Sequence, residues 1–220
     1  MVFNWIQIGR FGEGTLVTIE LTLISMLIGT FLGMLIALGR ISKNPFVNKA
    51  TWVYVWIFRG TPLLLQIMIV YLAIPMMYKQ IFDERMLMPQ FLAACIALVL
   101  NTAAYLAEIF RAGILSIDKG QFEAAKAVGM NSTQTMTKVI IPQTVRVVIP
   151  PYSNEFIMIL KDTSLVSAIG LLELYRVSKE MSSSTGRWEY LFIAAGIYLL
   201  MTTVAQWGFG RLEKHYSRFV

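Results

Sequence analysis

From residue 16 to residue 38 the chain carries one ionisable side chain, Glu20, among otherwise apolar, glycine and hydroxyl residues. A helix rising 1.5 Å per residue needs about 20 such residues to cross the roughly 30 Å hydrocarbon core of a bilayer. Four later stretches meet the same requirement, at 52–78, 88–110, about 147–168 and 190–209. Backbone amides have no water to bond in hydrocarbon, so a spanning segment is either a helix or a strand of a closed barrel. A barrel strand takes only about 10 residues, so these longer runs are expected to be helices. The expected fold is all-α: a polytopic membrane protein of five transmembrane helices, forming a single transmembrane domain over 1–220. Composition agrees, since 15% of residues are charged against about 25% in ordinary soluble domains.

Lysine and arginine are unevenly shared between the two sides of this pattern. With the N-terminus outside, eleven of them fall in the inner loops and tail, among them Arg40, Lys43, Lys126, Arg146 and Arg218, and six fall outside. Basic residues concentrate in cytoplasmic loops, so the expected orientation is N-terminus outside and C-terminus cytoplasmic. This asymmetry accounts for the net charge of +6 without a nucleic-acid partner; the lipid bilayer is the partner that composition implies. The first run has no basic region directly before a short apolar core and no small-residue cleavage site after it, so it is read as a retained span. The single cysteine, Cys95, lies inside the third run, which leaves no intrachain disulfide and no metal-ligand spacing. Glu20 near the outer surface and His215 in the basic tail are read as solvated. The long outer segment at 170–189 reads as a solvated connector with a short interfacial helix.

One inner segment, 116–142, has a different composition. It contains GQFEAAKAVGMNSTQTMTKVIIPQ, rich in small and polar residues. Ser116 suits an N-cap, and Phe122, Ala125, Val128 and Gly129 fall on one small apolar face at offsets of three and four. Gly129 suits the end of that helix. Asn131 with Gln134 three residues on makes a capping box for a second short helix, which Pro142 is expected to close. Pro150 and Pro151 are placed at the entry to the next span. Two readings fit: an amphipathic loop on the inner membrane surface, and a docking knob for a soluble partner.

A resemblance separates them. Glu123-Ala124-Ala125, three residues, Gly129, nine residues, then Val139-Ile140-Ile141-Pro142 closely resembles the EAA motif, EAA-x3-G-x9-I-x-L-P, of membrane subunits of binding-protein-dependent ABC importers. Val139 and Ile141 depart conservatively from that pattern. FRGTPLLLQ from Phe58, AAYLAEIFRAGI from Ala103, IIPQ from Ile140 and LKDTSLVSAIG from Leu160 follow in the order of the polar amino-acid branch. The resemblance implies a permease subunit of a bacterial inner-membrane importer for polar amino acids, resembling histidine, glutamine and arginine permeases. It implies a second permease subunit, identical or a paralogue, with which the pathway forms as a dimer. It also implies two ABC ATPase subunits bound through Glu123, Ala124, Ala125, Gly129 and Pro142, and an external solute-binding protein that delivers an amino acid. The chain has no G-x-x-x-x-G-K-[ST] phosphate loop, so ATP and Mg belong to the partner ATPases and no cofactor or catalytic residue is expected in this chain. Closure of the ATPase dimer would then tilt the spans between inward-facing and outward-facing states.

Ionisable groups at membrane depth are costly and are therefore candidate functional groups. Lys161 and Asp162 lie well inside the fourth run. Seven residues nearly complete two turns, so Asp162 falls within about 20° of Glu155, and Lys161 within the same angle of Asn154. A zwitterionic amino acid asks for such paired stripes. On this reading Lys161, Asp162, Thr163 and Ser164 hold the common backbone of the solute, while Glu155 and Asn101 read its side chain. The alternative is that Lys161 and Asp162 pair with each other or with neighbouring helices. Two carboxylates on one stripe favour arginine, lysine or histidine, although Glu155 can instead pair with Arg146, and neutral solutes such as glutamine stay open. Arg59, Glu108 and Arg111 are expected to form an ion-pair network at the inner mouth. The competing functions are a stand-alone secondary transporter or channel, for which the inverted repeats common in such folds are missing, and a membrane scaffold, which has no use for Lys161 and Asp162 at that depth.

Overall fold

The computed structural model describes residues 5–216; the first four residues and Arg218, which enter the arguments above, lie outside them. Every regular element among the described residues is helical. Helix α1 (Trp5–Arg40) pairs most extensively with α5 (Gln90–Leu115), the helix that also packs against α2 (Pro45–Gly60) and α8 (Ile141–Asp162). Hydrocarbon gives apolar helix faces no reason to associate, so close approach of small residues carries the packing. On α5 those residues are Ala93, Ala94, Ala97, Ala103, Ala104 and Ala107, all at 1% exposure or less. On α1 they are Gly29 and Gly33. A Cβ at Gly33 would come within 2.9 Å of Leu106 Cβ and 3.0 Å of the Ala103 carbonyl.

That approach leaves no space for a side chain. Gly33→Leu is expected to cost about 3 kcal/mol or more and to abolish the monodisperse, detergent-stable protein on size-exclusion chromatography. Gly208→Leu, where an added Cβ meets nothing within 4 Å, serves as the control and should elute as the parent does.

The run expected as one span at 52–78 is broken. Asn44 caps α2 by accepting from the Phe46 and Val47 amides, and α2 ends at Gly60; Thr61 and Pro62 are extended. Proline lacks an amide proton and disfavours helical backbone in the residue before it, so a break at Thr61 follows. The chain then runs as one rod from Leu63 to Phe82, through α3 (Leu63–Met68), a π-helical turn (Ile69–Ala73) and α4 (Ile74–Phe82). Pro75 can make no bond to the Tyr71 carbonyl, and the widened turn absorbs that loss.

Among the described residues, four rods are long and apolar enough to cross a bilayer: Gln7–Arg40, Leu63–Phe82, Gln90–Leu115 and Glu189–Tyr216. The expected fifth, about 147–168, is not among them. Its residues belong to α8 and to a 3-10 segment, Thr163–Ile169, and α8 carries Arg146, Asn154, Glu155, Lys161 and Asp162 on a less apolar sequence.

The inner segment forms α6 (Lys119–Ala127) and α7 (Ser132–Thr135). Ser116 ends α5, and Asp118 is the cap of α6, accepting from Gly120 N at 2.6 Å. Ser116, the expected cap, lies three residues before the helix, and the carboxylate nearer the helix supplies the bond instead. Gly129 adopts φ 79°, which lets the Gly129 and Met130 amides bond back to Lys126 O and Ala125 O and end α6. The Asn131–Gln134 capping box forms as expected. Pro142 does not close the second helix. A π turn, Met136–Ile140, joins α7 to α8, and Pro142 sits in the first turn of α8, with Pro150 and Pro151 inside the helix and not at its entry. A proline ring needs room at the carbonyl four residues back, and the π turn gives Pro142 that room.

The 170–189 segment, expected as a solvated connector, is docked. Helix α9 (Leu174–Thr185) buries Leu174, Val177 and Met181 against Phe11 of α1 and Tyr190 and Ala194 of α10 (Glu189–Tyr216). Its cap is Glu173, fully buried, which accepts from the Tyr175 and Arg176 amides and from the Tyr198 hydroxyl. On its outer face Glu180 accepts from Arg176 at 2.8 Å and Arg10 at 3.0 Å. The Arg176 bond first, then that from Arg10, hold its carboxyl below the usual carboxylate range.

Candidate functional site

The break at Thr61 exposes backbone groups that a continuous helix would use. The Gln66 amide bonds Phe58 O, Thr61 O and Thr61 Oγ1 at 2.8–3.0 Å. Asn101 of α5 donates to Phe58 O at 3.2 Å and to Gln66 Oε1 at 3.0 Å. The broken end is thus stitched to α5, and Asn101 spends its nitrogen there; what it can offer a ligand is its oxygen. At the start of the Leu63–Phe82 rod no side chain caps the helix, so the first amides of that rod, which lack intrahelical acceptors, stand at the break.

A cavity of about 320 Å³ opens at this point, at the lower end of the range for small-molecule sites. The broken segment from Arg59 to Leu63 forms one wall, Asn101 and Tyr105 of α5 a second, and Glu155, Met158 and Asp162 of α8 a third. Glu155 is 5% exposed. It makes no hydrogen bond or ion pair with any described residue, yet feels the charges of Asp162 and Arg59. The Arg59 guanidinium rests over the Tyr105 ring, 5.1 Å from its centroid. With all three groups ionised, two carboxylates and one guanidinium leave the lining one net negative charge. Such a lining suits a small zwitterion with an additional positive group.

The predicted site residues separate into two sets. Asn101, Glu155 and Asp162 share the cavity. Lys161 and Ser164 line a different groove, with Tyr175, Tyr198 and Thr202, and Thr163 is fully buried with its hydroxyl on Leu160 O at 2.7 Å. Neighbouring residues on a helix point about 100° apart, so Lys161 and Asp162 face different spaces. Tyr105, Thr61 and Met158 belong to the cavity and were not singled out from the sequence. The AAYLAE stretch held the signal for Tyr105, as an aromatic four residues after Asn101 on the same helix face.

The inner-mouth network also differs from expectation. Glu108 accepts from Arg111 at 2.7 Å and from Arg40 of α1 at 3.1 Å. Arg59 is outside the network. Arg40, expected as a loop charge, joins it instead, and a contact between residues sixty-eight positions apart on two helices has no sequence period. In the inner segment, Glu123 and Ala124 are exposed and Ala125 is buried at 4%. The face bearing Glu123 and Ala124 is presented outward, while Gln121 and Gln143, bonded at 3.1 Å, tie α6 to the base of α8.

Residues 29–218 match the family described as binding-protein-dependent transport system inner membrane component. The arginine transport system permease protein ArgU of Corynebacterium glutamicum is 43% identical over 217 residues, covering 95% of this chain and 69% of that protein. The putative glutamine transport system permease protein GlnP of Rickettsia typhi is 37% identical over 190 residues, 86% of this chain and 84% of that protein. Among solved structures, a chain from an amino acid ABC transporter with histidines superimposes with a TM-score of 0.85 at 35% identity, over 98% of this chain and 100% of that one.

Proposed function

The chain belongs to the family of binding-protein-dependent transport system inner membrane components, and from that membership we propose that it lines the membrane pathway of an ATP-driven importer of polar amino acids, with cationic ones preferred. The observation that carries the substrate class is Glu155: a carboxylate 5% exposed, without a partner among the described residues, at the wall of a cavity it shares with Asp162. An uncompensated buried charge is costly. A cationic side chain from the solute compensates it.

In this reading the solute carboxylate lies at the uncapped start of the Leu63–Phe82 rod, where backbone amides and the helix dipole favour an anion. Asp162 and the Asn101 oxygen take the α-ammonium group, and Glu155 takes the side-chain cation. Lys161, Thr163 and Ser164 drop out of direct contact, since they face elsewhere. Helix α8 crosses the membrane as a fifth span, with Glu155 and Asp162 turned to the cavity and away from lipid. The N-terminus lies outside and the tail inside, as the basic residues direct. A second permease subunit completes the pathway, ABC ATPases holding ATP and Mg dock on the exposed Glu123–Ala124 face of α6, and an external solute-binding protein supplies the amino acid. The two relatives named for different amino acids, arginine and glutamine, keep a neutral solute as the second reading. The stand-alone transporter has no such support.

Reconstitution tests the assignment. The chain purified with ATPase subunits and solute-binding protein is expected to take up arginine only with ATP, and the chain alone to move none. Uptake by the chain alone, without any ATPase bound, overturns it.

A further inference from the structure

Two further cavities adjoin the one at the helix break. One, of about 440 Å³, is bounded by Arg40, Trp52, Trp56 and Glu108; the other, of about 500 Å³, extends past Ala112 and Gly113 to Ser116, at the end of α5 beside the coupling segment. Arg59 and Tyr105 line all three. The stacked guanidinium and phenol ring therefore stand between the candidate solute cavity and the spaces that lead inward.

Arg59 has one further property. It forms no ion pair with any described residue, although it lies in the field of Glu155 on the solute side and lines two cavities with Glu108 on the inner side. Glu108 already holds Arg40 and Arg111, but a carboxylate offers about four lone-pair directions. The stacking over Tyr105 is a weak restraint for a cation, and the field of Glu155 adds to it.

We propose that Arg59, stacked on Tyr105, is a solute-displaced inner gate: a cationic side chain that neutralises Glu155 releases Arg59, which leaves Tyr105 for Glu108 and joins the solute cavity to the inner ones. The inference rests on the cationic reading of that cavity. It assigns Arg59 a role opposite to that of a ligand, since Arg59 and the solute cation compete for one carboxylate. The device also makes solute occupancy and inward opening a single event, because the charge of Glu155 that draws Arg59 is the one the solute cation neutralises.

The test uses the full assembly in proteoliposomes, with radiolabelled arginine binding measured on the permease–ATPase assembly without the solute-binding protein. Arg59→Gln is expected to tighten arginine binding about tenfold, as loss of a like charge lining the same cavity predicts, and to bring the ratio of arginine-stimulated to basal ATP hydrolysis to about one. Tyr105→Ala should likewise lose stimulation, and Tyr105→Phe, which keeps the ring, should retain it. If Arg59→Gln does not assemble, the Tyr105 pair alone decides. Weakened arginine binding in Arg59→Gln, an unchanged stimulation ratio, or equal behaviour of Tyr105→Ala and Tyr105→Phe overturns the gate. Arginine binding that is indifferent to Glu155→Gln instead overturns the cationic reading beneath it, so the two failures are distinguishable.

Discussion

In proteoliposomes carrying the full assembly, Glu155→Gln lowers arginine uptake at subsaturating concentration by about 30-fold or more and leaves glutamine uptake within about threefold of the parent. Removing one partner of a desolvated charge pair costs about 2–5 kcal/mol, and 2 kcal/mol is already about 30-fold. The substitution keeps the shape of the side chain and removes only its charge. Glutamine brings no second cation, so it loses nothing comparable. Asp162→Asn behaves differently, because the α-ammonium group is common to every amino acid: uptake of arginine and glutamine falls together, by a similar factor. The measurement is initial-rate uptake of the two labelled solutes by each variant. An unchanged ratio of arginine to glutamine uptake in Glu155→Gln removes the selectivity role from Glu155, whatever the absolute rates.

Glu123→Lys is the second large effect. Glu123 is exposed on α6, and the geometry beneath it is fixed by bonds it does not make: the Asp118 cap, the left-handed Gly129 and the Asn131–Gln134 box. Its replacement therefore leaves the helix and membrane insertion intact. Charge reversal in a docking surface costs several kcal/mol through like-charge contact and an unpaired partner, so ATPase subunits should no longer co-purify and uptake should fall below about a tenth of the parent level. Retained ATPase binding with full transport would sink the docking surface. The loss is also expected to be insensitive to which amino acid is offered, and this separates it from the Glu155 effect.

How much of this was legible beforehand differs between the 116–142 segment and the site. The capping box at Asn131 and the terminating Gly129 are local: each bond spans three to five residues, and the residue types that satisfy it can be read in order. Gly60 and Pro62 carry the local signal for the break in the run expected as one span. What becomes of the broken end has no local signal, since the orphaned Phe58 and Thr61 carbonyls needed Gln66 and Asn101, the second of them forty-three residues on from Phe58. Pro142 misled because a proline usually ends a helix. Here a π turn admits it, and whether a helix widens or stops depends on the packing of the elements on either side.

By itself, the sequence determined that the chain is helical and apolar enough to be membrane-embedded, and that 116–142 is a compact capped element. Those features follow from length, periodicity and nearest-neighbour bonding, all of which run along the chain. Only the tertiary structure decided which charges share a space. Lys161 and Asp162 are adjacent in sequence but about 100° apart around the helix axis, so one faces the groove of Tyr198 and the other the cavity of Glu155. Arg59 is not paired with Glu108, which holds Arg40 from α1 and Arg111, and rests over the Tyr105 face instead. Contacts between helices are set by rotation and crossing, which no spacing along one helix encodes.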